Sequence, residues 1–97
     1  MARVESALVV AEWWERWCGE TEWSKWMRRW HDLGGRVIWW GGYPQSKSAI
    51  PLVFQLVDSS GKRLDGNSRL MDIRHAVMDG EGEKRRRARW EFARSRR

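Results

Sequence analysis

Apolar residues at Val4, Leu8, Ala11, Trp14 and Cys18 recur at intervals of three and four, and Val10, Trp13 and Trp17 widen the stripe. That is the period of one helix face, so a first helix is expected over residues 3–18. Gly19 then supplies a stop, because glycine accepts the left-handed conformation that follows a last turn. Thr21 is placed to cap a second helix over 22–33, with Glu22 near its positive start. Trp23, Trp26, Met27, Trp30 and Leu33 keep helical spacing along it, and Gly34 and Gly35 close it. Two amphipathic helices with so short a link predict a helical hairpin.

The period then changes. Arg36-Val37-Ile38-Trp39-Trp40 is a short β-rich run, closed by the turn residues Gly41-Gly42-Tyr43-Pro44. Residues 45–48 are polar, and 50–57 form an almost unbroken apolar run that suits a strand, with Pro51 at its start or on an edge. A turn at Asp58-Ser59-Ser60-Gly61 leads to a short strand over 62–64 and another turn at Asp65-Gly66. Asn67 or Ser68 can cap a third helix over 69–78, whose Leu70, Ile73 and Val77 would face the sheet. Residues 80–83 then look like a polar hinge.

The last segment has two readings. Ala88, Trp90 and Phe92 alternate with Arg87, Arg89 and Glu91, which favours a strand over 86–93 with a frayed end after it. The same residues also suit an arginine-rich helix that orders on RNA or DNA. The expected fold is α+β, an N-terminal helical hairpin packed on a small, mainly antiparallel sheet in the order α-α-β-β-(β)-α-β. A chain of 97 residues is the size of one domain, here a compact body over 1–83 followed by a basic segment over 84–97.

Charge sharpens that division. Residues 84–97 hold eight Lys/Arg and one acid, Glu91, for +7. The rest of the chain is then at −1 within the overall +6. A block of like charge repels itself and gains most by meeting the opposite sign. Lys84, Arg85, Arg86, Arg87, Arg89, Arg94, Arg96 and Arg97 are therefore candidate phosphate ligands, with Trp90 and Phe92 able to stack on unpaired bases. Lys25, Arg28 and Arg29, about one turn apart on the second helix, are candidates for the same backbone. Few Asn or Gln are available to read base edges, so nucleic-acid binding is expected to be phosphate-directed and largely sequence-independent, with RNA favoured over DNA.

Nine tryptophans are more than so small a core can centre. Most of the stripe reads as the seam between the two helices. The surplus, Trp13, Trp17, Trp23, Trp39 and Trp40, is a candidate interaction surface, for a homodimer or for a larger or host protein partner, since tryptophan is enriched at interface hot spots. The abundance of this one-codon residue beside many arginines also fits a gene read from an overlapping frame, as in compact viral genomes.

Catalytic signals are thin. Asp72, His75 and Asp79 share a helix face but have no obvious nucleophile beside them, and a solvent-facing polar side explains them better. Cys18 lies on an apolar face, and a single cysteine provides neither a disulfide nor a cysteine zinc site. No enzymatic activity, metal or cofactor is expected. Two helices followed by a small sheet in a short basic chain resemble the RelE-type ribonuclease toxins in element order, with no matching motif, and that likeness would imply RNA cleavage with His75 as a candidate. The first apolar run, 7–11, is too short and too quickly followed by Glu12 for a signal peptide or membrane span. An intracellular, cytoplasmic or nuclear protein without membrane association is the expectation.

Overall fold

The computed structural model describes residues 3–40, 53–64 and 69–96. Six elements follow in order: β1 (Arg3–Ser6), α1 (Ala7–Cys18), α2 (Glu22–Asp32), β2 (Arg36–Trp40), β3 (Val53–Val57) and α3 (Leu70–Ser95). The three strands form one antiparallel sheet in the order β1-β2-β3. The fold is α+β, as the hydrophobic pattern indicates. The expected turn at 41–44, the loop at 45–48, the start of the third strand at 50–52, the turn and caps at 65–68, and Arg97 lie outside the described residues.

The first correction falls at the N-terminus. The expected helix over 3–18 begins only at Ala7, and residues 3–6 pair with β2 instead, Val4 opposite Ile38 and Glu5 opposite Val37. Ser6 is the reason for the switch. Its backbone is extended and its hydroxyl accepts from the Val9 amide at 3.2 Å, which ends the strand and starts the helix within one residue.

The hairpin forms as its pattern indicates. Gly19 closes α1 at φ 73°, and Thr21 and Ser24 form a reciprocal capping box at the start of α2. Arg28 of α2 reaches across the hairpin to Glu15 of α1 through two hydrogen bonds, Nε to Oε1 at 2.6 Å and Nη2 to Oε2 at 2.7 Å. Between the helices and the sheet, Trp14 is fully buried and meets the edges of Trp23 and Phe54, with centroids 5.6 and 5.9 Å away. Val37, Trp39, Phe54 and Leu56 complete the sheet side of that core, and register places Val37 beside Leu56 and Trp39 beside Phe54. Burying four such side chains contributes on the order of 6–12 kcal/mol at about 1.5–3 kcal/mol each.

The exit from α2 is set by close packing. Gly34 takes φ 81°, and the Trp30 indole folds back so that its Nε1 donates to the Arg36 carbonyl at 3.0 Å. A β-carbon on Gly35 would fall 2.3 Å from the Trp30 ring. Only glycine leaves space there.

The C-terminal end brings the second correction. The strand expected over 86–93 is helix, the hinge expected over 80–83 is helical as well, and the third helix runs unbroken from Leu70 to Ser95. Its first half buries Ile73 and Val77, with Gly80 approaching Leu33 of α2 so closely that a β-carbon would sit 2.8 Å from Leu33 Cδ1. Arginine, alanine, lysine and glutamate are strong helix formers, and their summed preference outweighs about 1 kcal/mol lost at each of Gly80 and Gly82. The short strand expected at 62–64 is reduced to one bridge, Val57 to Arg63, with the Leu64 amide bonded to Leu56. No helix among the described residues is long and apolar enough to cross a membrane.

Candidate nucleic-acid interface

Every described residue from 83 to 96 is exposed. The 26 residues of α3 span about 39 Å at 1.5 Å per residue, and the molecule is correspondingly elongated at 56 × 27 × 19 Å. At its root the basic half still borders the body, Lys84 and Arg87 facing Asp58, Ser59, Ser60 and Lys62 across a shallow depression, and from Ala88 outward it projects past the described body as a helical rod. Its charge is compensated unevenly. At its root, Glu83 holds Arg86 at 2.9 Å, and the Arg86 hydrogen bond keeps the Glu83 carboxyl below the ordinary glutamate range. Lys84 and Arg85 lie near enough to Glu81 to help stabilise its charge. Further out, Arg89, Arg94 and Arg96 have no carboxylate partner among the described residues.

Helical geometry separates two residues that a strand would have kept together. In a strand, Trp90 and Phe92 would share one face. In α3 they diverge by about 160°, since each residue turns about 100°. Both are well exposed, at 62% and 61%, so neither docks in the core. Each carries its own cation: Arg94 lies 4.9 Å from the Trp90 ring and Arg96 lies 4.9 Å from Phe92. These pairs shield part of each ring and hold the guanidinium groups outward along the helix.

The cations expected on α2 behave differently. Arg28 is committed to Glu15, which raises its pKa above the usual arginine value and lowers that of Glu15. Arg29 bonds both oxygens of Glu81 at 2.9 and 2.7 Å and lies 4.3 Å over Trp26. Only Lys25 of the three remains exposed without a partner among the described residues. Arg29 does share one shallow depression with Lys84 and Arg85, but Asp32 and Glu81 line it too and offset their charge. The α2 arginines are thus structural ties, which their one-turn spacing could not disclose.

The candidate aromatic surface contracts in the same way. Trp39 is 1% exposed and packs in the core against Trp13, with centroids 5.9 Å apart. Trp13 and Trp23 are packed against that core. Trp17 and Trp40 alone keep surface exposure from the proposed set, at 36% and 38%.

His75 and Asp79 are exposed on α3, while Asp72 is half-buried with Arg69 Nε at 3.7 Å. Among the described residues, no group of three His, Cys, Asp or Glu side chains could hold a metal ion. Cys18 is half-buried and free. Compared with protein-family models, curated proteins and solved structures, the chain has no match.

Proposed function

We propose that this protein binds nucleic acid through the C-terminal half of α3, by contacts to phosphate with little reading of base sequence. The observation that supports this most is that Arg89, Arg94 and Arg96, on the outer end of α3 and at its cap, are exposed and free of carboxylates among the described residues. Planar guanidinium groups meet phosphate oxygens in pairs, and each neutralised phosphate releases counterions, which drives binding at low salt. A helix already in place also removes part of the ordering cost that a disordered arginine tail meets on binding.

The scarcity of base-reading side chains suits phosphate contact to RNA and DNA alike. The stacking of Trp90 and Phe92 on one run of unpaired bases, which favoured RNA, loses support once the two rings lie on opposed faces. DNA and RNA share the phosphate chemistry, so both belong in the test. Intracellular action, in cytoplasm or nucleus, follows from that ligand class.

The test uses the full chain and an Arg89→Ala, Arg94→Ala, Arg96→Ala variant in fluorescence anisotropy at low salt against DNA and RNA, single- and double-stranded. The native protein should bind at least one of them with an affinity that falls steeply as salt rises, and the variant should lose most of it with its circular dichroism unchanged. Equal binding by the two proteins, or none by the native protein, would overturn the reading. RNA left intact after incubation with pure protein would separate this function from ribonuclease activity.

A further inference from the structure

On the premise that α3 binds nucleic acid, we infer that its ligand is double-helical DNA of B form, with residues 84–96 lying in the major groove. Three features of the helix carry this.

The first is where its charges point. At about 100° per residue, Arg85, Arg89 and Arg96 fall within roughly 40° of one another, and Arg87 and Arg94 within roughly 20°. The two strips are about 170° apart around the axis. A rod with cations on two opposite sides fits between two parallel rows of phosphates. A single strand offers one row and would leave one strip idle.

The second is size. A helix with its side chains is about 10–12 Å across, and the B-form major groove is about 12 Å wide. The major groove of A-form RNA is deep and too narrow for side chains to read. Residues 84–95 span about 18 Å, enough to follow the groove past several phosphates on each side.

The third is clearance. The arc between the two charged strips holds Arg86, Trp90 and Ala93, and would face the groove floor. The opposite arc carries Lys84, Ala88, Glu91, Phe92 and Ser95. It continues the line of Ile73 and Val77, the buried residues that α3 turns to the body. The body therefore lies behind the helix relative to the floor-facing side from Ala88 outward, while at the root the Arg87 side borders Asp58, Ser59, Ser60 and Lys62 across a depression. Met71 and Met78, which continue the Arg85, Arg89 and Arg96 strip into the first half, are 57% and 55% exposed, and His75 and Asp79, which continue the floor-facing line, are exposed too, so both sides are open among the described residues. The single acid of the segment, Glu91, sits on the back and away from phosphate.

The same geometry bears on the aromatic rings. Trp90 and Phe92, on opposed faces, cannot stack on neighbouring bases of one strand. Trp90 lies in the floor arc, where a ring would meet base edges and thymine methyl groups.

The experiment compares the full-length protein on a short mixed-sequence DNA duplex, the RNA duplex of the same sequence, and the separate strands, by anisotropy at one low salt concentration. The DNA duplex should bind at least roughly tenfold more tightly than the others, and the bound protein should protect guanine N7 from methylation, since that atom lies in the major groove. Arg85→Ala with Arg89→Ala, and separately Arg87→Ala with Arg94→Ala, should each weaken duplex binding and each lower the slope of log affinity against log salt by about 2. Equal or tighter binding of RNA or single strands would overturn the groove inference while leaving nucleic-acid binding intact. So would loss from only one of the two paired variants, or unprotected N7. Binding to none of the four probes would remove both.

Discussion

Arg29 on α2 and Glu81 on α3 close a two-pronged ion pair, Nε to Oε1 at 2.9 Å and Nη2 to Oε2 at 2.7 Å, at the point where α3 leaves the body. The Trp26 ring of α2, which Arg29 covers at 4.3 Å, is also approached by Arg74 of α3 at 5.5 Å, a second tie between the two helices. Arg29→Ala should therefore act on stability and hardly on nucleic-acid affinity. Its melting temperature should drop by a few degrees or less, as for an exposed pair. Arg85, Arg86 and Arg87 changed together to alanine should do the reverse, weakening binding while the fold survives. A large affinity loss in Arg29→Ala would return that residue to the interface.

Three glycines separate close packing from helix propensity. Gly35→Ala places a methyl group against the Trp30 ring and should cost on the order of 2 kcal/mol or more, because the indole is held by its bond to Arg36. Gly80→Ala meets only the far end of Leu33, which can rotate, so its steric cost should about cancel the gain in propensity. Gly82→Ala meets nothing closer than 3.9 Å and should stabilise by about 0.5–1 kcal/mol with greater ellipticity. Chemical unfolding of the three variants checks the order. A destabilised Gly82→Ala would mean that residues 80–83 bend as a hinge.

Two buried tryptophans should respond oppositely to the loss of their N–H. Trp14 Nε1 is buried with no hydrogen-bond acceptor among the described residues, so Trp14→Phe removes an unsatisfied donor along with some volume. Trp30→Phe gives up the bond to Arg36. We expect Trp30→Phe to cost about 1 kcal/mol more than Trp14→Phe, whereas Trp14→Ala should cost about 3–5 kcal/mol. Denaturant midpoints with a common slope would decide it, and a costlier Trp14→Phe would contradict the assignment.

Acid should weaken the body first at its ion pairs. Arg28, Arg29 and Arg86 hydrogen-bond Glu15, Glu81 and Glu83 and hold these carboxyls below their ordinary range, and Ser60 does the same for Asp58. Folded values below unfolded ones mean that their stabilisation is complete above the unfolded pKa, about 4, and fades as pH falls through the folded values. Urea midpoints should hold steady from about pH 7 to 5 and fall below about 4, with a smaller fall in Glu81→Gln. A midpoint that rises on acidification would contradict the ion-pair geometry.

Much of this architecture was legible in the residue pattern, and its two failures have specific causes. The hairpin could be read because its stripe, Gly19 and the Thr21 cap all agree. Strand β1 was hidden because Val4 happens to continue the α1 spacing, and a four-residue strand is too short to show a period of its own. Ser6 was the available signal: a hydroxyl residue just before the apolar run, three residues from the amide it caps. In the basic segment, the alternation of Ala88, Trp90 and Phe92 with Arg87, Arg89 and Glu91 covered only six positions, which a helix also tolerates. The helix-forming tendency of the arginines was the stronger guide. The positions of the candidate phosphate ligands could be read from charge alone, but the loss of Arg28 and Arg29 to Glu15 and Glu81 could not, because those partners lie 13 and 52 residues away.

The continuity of α3 through Gly80 and Gly82 makes the orientation of the basic end a matter of phase. The body and the arginines share one screw axis, so a single residue inserted after Gly82 would swing every cation beyond it by about 100° about the axis, and seven would bring them back nearly into step. The charged end works like a key cut on a rigid shank, whose teeth face where the body's own packing turns them.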